Sequence, residues 1–179
     1  MAKKVVTVNR APVLTLWAVV VAERLGHEEE TALTLGRALA GLNAQSKGRR
    51  LGIYGTTPPG DAPRGEDTGP RRRARPSDSV PLFGREVPVV RTPKGIRASA
   101  DGKPMDPAAV RRYLDSKFGE DLPAVRSAME ALAASLAPEA LAAAAYELYE
   151  RFRPAIPAGK RGWGAAGELD LDRIRALRR

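Results

Sequence analysis

Hydrophobic and polar positions divide the chain into segments with different periods. Val5-Val6-Thr7-Val8 alternates weakly and predicts a short strand. From Val13 to Leu25, Val13, Leu14, Leu16, Trp17, Val19, Val20 and Val21 cover nearly all sides of a helix, the pattern of a central buried helix. Pro12 suits its first position, and Gly26 suits the residue that stops it. A second helix is expected from Glu28, with Glu28, Glu29 and Glu30 in the first turn, where the helix dipole favours negative charge. Ala32, Leu35, Leu39 and Leu42 give it one apolar face. Gly36 and Gly41 weaken it by about 1 kcal/mol each, and a small residue there permits close approach of another helix. It runs into the polar, basic stretch Asn43 to Arg50.

The next segment has no period. Residues 55–79 hold five Pro, four Gly and five Arg, and no Leu, Ile, Val, Phe, Tyr or Trp. Such a composition does not bury enough apolar surface to offset its ordering entropy, so a flexible linker or basic loop is expected. Strand character returns at Val80-Pro81-Leu82-Phe83 and Val87-Pro88-Val89-Val90, with Ile96-Arg97-Ala98 after a Thr92-Pro93-Lys94-Gly95 turn. Pro81 and Pro88 place these strands at an edge. The last third predicts helices from an Asp106-Pro107 start to about Phe118, from an Asp121 cap to about Leu136, and from Pro138 to Pro154. Leu169, Leu171, Ile174 and Leu177 suggest a short, partly helical end. The expected fold is mainly α with a small β-hairpin, an α+β class. Its parts are a helical pair (1–54), a linker (55–79), a hairpin (80–104) and a C-terminal helical region (105–179). The two helical parts share one core, because neither is large enough to be comfortable alone.

Composition narrows the chemistry. With 179 residues, 43 % hydrophobic, a core is possible. The absence of cysteine removes disulfides and thiolate sites, and the single histidine, His27, removes zinc sites built on several histidines. No run approaches a membrane span, and residues 1–10 are too short and broken for a secretory core, so a cytoplasmic protein is expected. Three amides and no cysteine fit a thermophile. A high-GC genome explains the 23 arginines against 7 lysines equally well.

The net charge of +9 is unevenly placed. Residues 1–54 hold 8 basic and 4 acidic side chains, residues 55–104 hold 10 and 6, and residues 105–179 hold 12 and 11. A polyanion partner should meet the first two parts. Two helices followed by a hairpin resemble the winged helix-turn-helix pattern. That resemblance implies a helix in the major groove and a hairpin on phosphate or minor groove. On it, Arg37, Lys47, Arg49 and Arg50 are the groove-side residues, with Arg91, Lys94 and Arg97 on the hairpin. The pattern departs from the usual form in its long insertion and in the lack of an evident third helix before it. The run Arg71-Arg72-Arg73-Ala74-Arg75 adds phosphate contacts without aromatic residues for stacking. Residues 10–17, 38–48, 162–164 and 167–172 also resemble bacterial proteins of similar length, a resemblance that brings no activity with it.

Other motifs point to structure. Gly162-Trp163-Gly164-Ala165-Ala166-Gly167 matches G-x-G-x-x-G, but no strand is expected before it and 12 residues follow, too few for a dinucleotide fold. Glu168, Asp170 and Asp172 would share a strand face and suit Mg²⁺; a helix start with first-turn acids is the favoured reading. No catalytic constellation, metal site or cofactor is expected. The leading expectation is a non-enzymatic nucleic-acid-binding protein, for DNA, with no membrane partner and with a homodimer as a candidate assembly. The alternative is a protein–protein scaffold formed by the Ala-rich C-terminal helices. An enzyme using Trp163 and Asp170 ranks last.

Overall fold

Every residue from Pro12 to Ala22 is buried in a computed structural model of the chain. The structure describes residues 5–51, 78–100, 102–156 and 166–178, with backbone alone for 44–51 and Ala100. These buried residues form most of α1 (Arg10–Arg24), which starts three residues before the apolar run. The chain stops the helix at Gly26, whose φ of 108° is left-handed. Helix α2 (Glu29–Leu51) lies directly on α1. A Cβ at Gly36 would stand 2.6 Å from the Thr15 carbonyl oxygen and 2.6 Å from Val19 Cγ2, so only glycine allows this approach. The expectation of a small residue at a helix crossing therefore holds at Gly36. Gly41 has open space around it.

The predicted first strand is present as β1 (Val5–Asn9). Its partner was not expected. It pairs antiparallel with β6 (Ala166–Asp170), Val6 opposite Leu169 and Val8 opposite Gly167. The segment from Glu168 is therefore strand first, and the short helix α6 (Leu171–Ala176) begins only after Asp170. Gly167 admits no side chain, since a Cβ would lie 2.8 Å from Pro154 Cβ and 2.9 Å from the Ala155 carbonyl oxygen. Close backbone approach, and not a dinucleotide, accounts for the last glycine of the G-x-G-x-x-G match.

The β region is an antiparallel meander of β2 (Ser79–Leu82), β3 (Arg85–Thr92), β4 (Gly95–Ala100) and β5 (Lys103–Pro104). It is larger than a hairpin, and it does not stand free of the helices. The Thr31 hydroxyl donates to the Ile96 carbonyl at 2.6 Å, and the Ala98 N–H donates to Thr34 Oγ1 at 2.9 Å. Helix α2 thus covers the outward edge of β4, satisfying strand groups that would otherwise lack partners.

Helices α3 (Pro107–Phe118), α4 (Leu122–Ala134) and α5 (Pro138–Phe152) follow near their predicted limits. Asp106 caps α3 by accepting from the Ala108 N–H at 3.0 Å. Asp121 precedes α4 but makes no capping bond from its side chain. One hydrophobic cluster draws on every part: Val6 and Val8, helices α1 and α2, Val87 and Val89 of the sheet, and the C-terminal helices. Trp17 sits at its centre, fully buried. Its indole N–H donates to the Ala145 carbonyl at 2.9 Å and its ring meets Phe152 edge-on at 5.3 Å. The class is α+β. No helix among the described residues is long and apolar enough to cross a membrane.

Candidate functional site

The expected phosphate-binding cations meet different surroundings. Arg97 is a correction. Its side chain is 4 % exposed, and its guanidinium pairs with Glu30 at 2.7 Å and donates to the Ile96 carbonyl at 2.9 Å. The cause is the docking of β4 on α2, which turns this side chain inward. Arg97 is structural and is unavailable to a phosphate. Arg37 is half-buried, its guanidinium 4.2 Å from the centre of the Tyr113 ring, a cation–π contact within the fold. Burial raises the Tyr113 phenol above its ordinary pKa, and the Arg37 charge pulls it part of the way back.

Arg91 and Lys94 are exposed. Arg91 faces Asp78 at 3.8 Å with both side chains largely in solvent, an ion pair of little energetic weight. Lys94 stands at the β3–β4 turn, whose predicted form is supported by the Thr92 hydroxyl donating to the Gly95 carbonyl and by the positive φ of Gly95. Lys47, Arg49 and Arg50 have backbone in α2, and their side chains fall outside the described residues. Arg71, Arg72, Arg73 and Arg75 lie outside them entirely, as does Trp163.

The first half of α2 has no free face for a groove. Thr31 through Gly36 are buried, and Glu29 and Glu30 at its start are acidic. In a groove-reading helix the N-terminal residues contact base edges. Here those positions carry the wrong charge for phosphate or are already packed.

A concave site appears elsewhere. The β2–β3 turn, helix α1, the middle of α2 and helix α5 enclose a cavity of about 210 Å³ lined by Leu14, Leu39, Asn43, Phe83, Gly84, Arg85 and Tyr146. Asn43 continues the apolar stripe of α2 one turn beyond Leu39 and is 3 % exposed. Its Oδ1 accepts from the Tyr146 hydroxyl at 3.3 Å. Tyr146 stacks on Tyr149 at 5.9 Å and faces Phe83 at 6.4 Å, the two rings tilted by 55°. Burial pushes the Tyr149 phenol far above its ordinary range, so the group behind this wall stays neutral.

The turn that carries Phe83 is unusual. Phe83 has φ 54° and Gly84 φ 75°, the pair of left-handed residues that a two-residue hairpin of the primed type requires. Asn, Asp or Gly ordinarily stands at the first of these positions. A bulky residue there costs about 1–3 kcal/mol of backbone strain, held in place by the surrounding fold. Sequence reading missed this site. Two signals were present: Asn43 is one of only three amides in the chain and falls on the buried stripe, and Phe83-Gly84 sits between two strands.

The carboxylates at the end of the chain act locally. Asp170 caps α6 by accepting from the Asp172 N–H at 2.9 Å, and Asp172 pairs with Arg175 at 2.9 Å. This is the capping role favoured from sequence, combined with a strand that was not. Among the described residues no group of three or more His, Asp and Glu side chains is placed to hold a metal ion. His27, in the turn between α1 and α2, is half-buried, and burial lowers its pKa. Compared with protein-family models, with curated proteins and with solved structures, the chain matches none.

Proposed function

We propose that this is a non-enzymatic nucleic-acid-binding protein, for DNA, that holds its ligand through phosphate contacts. The observation that carries the reading is the segregation of charge. The C-terminal 75 residues are almost neutral, with 12 basic and 11 acidic side chains, and several of their cations are absorbed in ion pairs. Arg126 pairs with Glu23 and Glu130, Arg111 with Glu29, Arg151 with Glu147 and Arg175 with Asp172. The excess of +8 belongs to residues 1–104. Arg91 and Lys94 supply exposed charge from the meander; in sequence, Lys47, Arg49 and Arg50 near the end of α2 and Arg71, Arg72, Arg73 and Arg75 of the arginine-rich segment supply the rest of the excess. Arg97 is no part of this set, and Arg37 is held by Tyr113.

The reading does not depend on a winged helix. It needs only a dense cationic stretch, which binds phosphate without sequence preference. The scaffold alternative has less support, because Val5 is the one exposed large hydrophobic among the described residues, so their surface offers no broad apolar face. The test is fluorescence anisotropy with labelled single-stranded and duplex DNA over a salt series. Phosphate-dominated binding gives a log–log slope of about −0.7 to −0.9 per phosphate contacted. Affinity that is flat in salt, or absent at low salt, overturns the proposal.

A further inference from the structure

We infer that the cavity between the β2–β3 turn and helix α5 is a subsite for one unpaired nucleobase, with guanine preferred over adenine. The inference deepens the nucleic-acid reading and rests on it. Four features of the cavity point the same way.

The first is size. At about 210 Å³ the cavity lies below the roughly 300–1,000 Å³ of pockets for drug-sized ligands, so it suits one flat ring system and excludes a paired duplex. The second is its walls. Phe83 and Tyr146 line it with half-buried aromatic rings, together with Leu14 and Leu39. Single-stranded nucleic acid is gripped by such aromatic faces, because every base has a face to stack. The third is the buried amide. The Tyr146 hydroxyl occupies Asn43 Oδ1, and the amide N–H groups of this buried lining residue have no hydrogen-bond acceptor among the described residues. Arg85 adds further donors to the lining. A lining rich in donors asks for neighbouring acceptors. Guanine offers O6 and N7 on one edge, whereas adenine sets its N6 amino donor beside N7. The fourth is the strained turn. Phe83 is the only non-glycine residue with positive φ among the described residues, and it lies at this cavity. Backbone strain retained at a concave surface is a feature of ligand-binding sites.

The test uses the full chain and labelled single strands made of abasic sites, carrying one central guanine, one central adenine or no base, at fixed low salt. The guanine strand is expected to bind about tenfold tighter than the abasic strand, within the range that stacking of one base supplies. The adenine strand should fall between them. Phe83→Gly places the residue that the turn geometry favours, so the fold is expected to survive, as judged by thermal melting. It should abolish the advantage of guanine and leave abasic affinity unchanged. Tyr146→Phe keeps the ring and frees Asn43 Oδ1. The amide then offers a donor and an acceptor together, the arrangement that matches adenine, so the preference should shift toward adenine. Equal affinity of all three strands overturns the base subsite while leaving the phosphate reading intact. So does a Phe83→Gly protein that stays folded and keeps its guanine preference. No binding of any strand overturns the phosphate reading itself, and the subsite with it.

Discussion

Arg91 and Arg97 stand on facing strands of one hairpin, one register step apart, yet their side chains are 79 % and 4 % exposed. Arg91 pairs with Ile96 across the ladder and Arg97 with Val90. Neighbouring positions on a strand point to opposite faces, so the two side chains leave the ladder on opposite sides, yet face alone does not separate them, since Arg91 shares its side with the buried Val87, Val89 and Ala98 and is still exposed. What decides between them is the threonine edge of α2, which docks β4 and brings Glu30 within reach of Arg97. Counting cations on a strand therefore overstates the charge available to a partner.

The contrast is broken most severely at the platform beneath it. Gly36→Val sets a side chain against the Thr15 carbonyl oxygen and the Val19 nitrogen, backbone atoms at 2.6 and 3.0 Å from the new Cβ. Neither yields without moving a helix. The expected loss is about 3 kcal/mol, at the upper end of overpacking costs, measured by urea unfolding. With α2 displaced, the amide of Ala98 should exchange with solvent faster.

Thr34→Val attacks the same docking with less disturbance. The shape is kept and the acceptor is lost, so the Ala98 N–H remains buried without a partner. The expected cost is about 1–3 kcal/mol, with accelerated exchange at that single amide. A stability change near zero would mean that the strand edge is held by packing alone.

The sequence displayed those parts of the fold that local chemistry determines. Gly26 ends α1 because it takes a left-handed φ, Asp106 caps α3, and Pro138 starts α5. The all-round apolar run of α1 announced burial before any partner was known. The pairing of β1 with β6 was not visible, because Ala166-Gly167-Glu168-Leu169-Asp170 has too few apolar residues to read as a strand and becomes one against a segment at the other end of the chain. The meander was half visible. Its strands and the Pro93–Gly95 turn were readable, but no local pattern says that Thr31 and Thr34, chosen from a helix, will cover its edge. The cavity was the least visible of all. Leu14, Leu39, Asn43, Phe83 and Tyr146 come from four separate elements, and a phenylalanine in a left-handed turn is contrary to local preference. Only tertiary contact explains it.

Substitution of the buried arginine sharpens the comparison. Arg97→Met fills similar space and removes the charge. Glu30 is about half in solvent, so it can rehydrate when its partner is lost, unlike one half of a fully buried pair. A loss of roughly 1 kcal/mol is expected, smaller than that of Thr34→Val. Nucleic-acid affinity and its salt dependence should not change, because this guanidinium is not on the surface. A reduced salt slope in a folded Arg97→Met protein would show that the side chain leaves its Glu30 pocket to meet phosphate.

Arg91→Ala completes the contrast with the smallest effect on stability. Its only ion pair among the described residues is long and exposed, and truncation of such a residue stays within about 0.5 kcal/mol. Its effect on binding should be the reverse. Each phosphate contact removed lowers the salt slope by about one, and affinity should fall alike for every sequence, since a backbone contact reads no base. Anisotropy titrations over a salt series separate the two arginines in one experiment: Arg97→Met moves stability and not the slope, Arg91→Ala the slope and not stability. Should Arg91→Ala leave the slope unchanged, the meander contributes nothing to phosphate binding. The cationic surface would then have to come from the end of α2 and the arginine-rich segment that follows it.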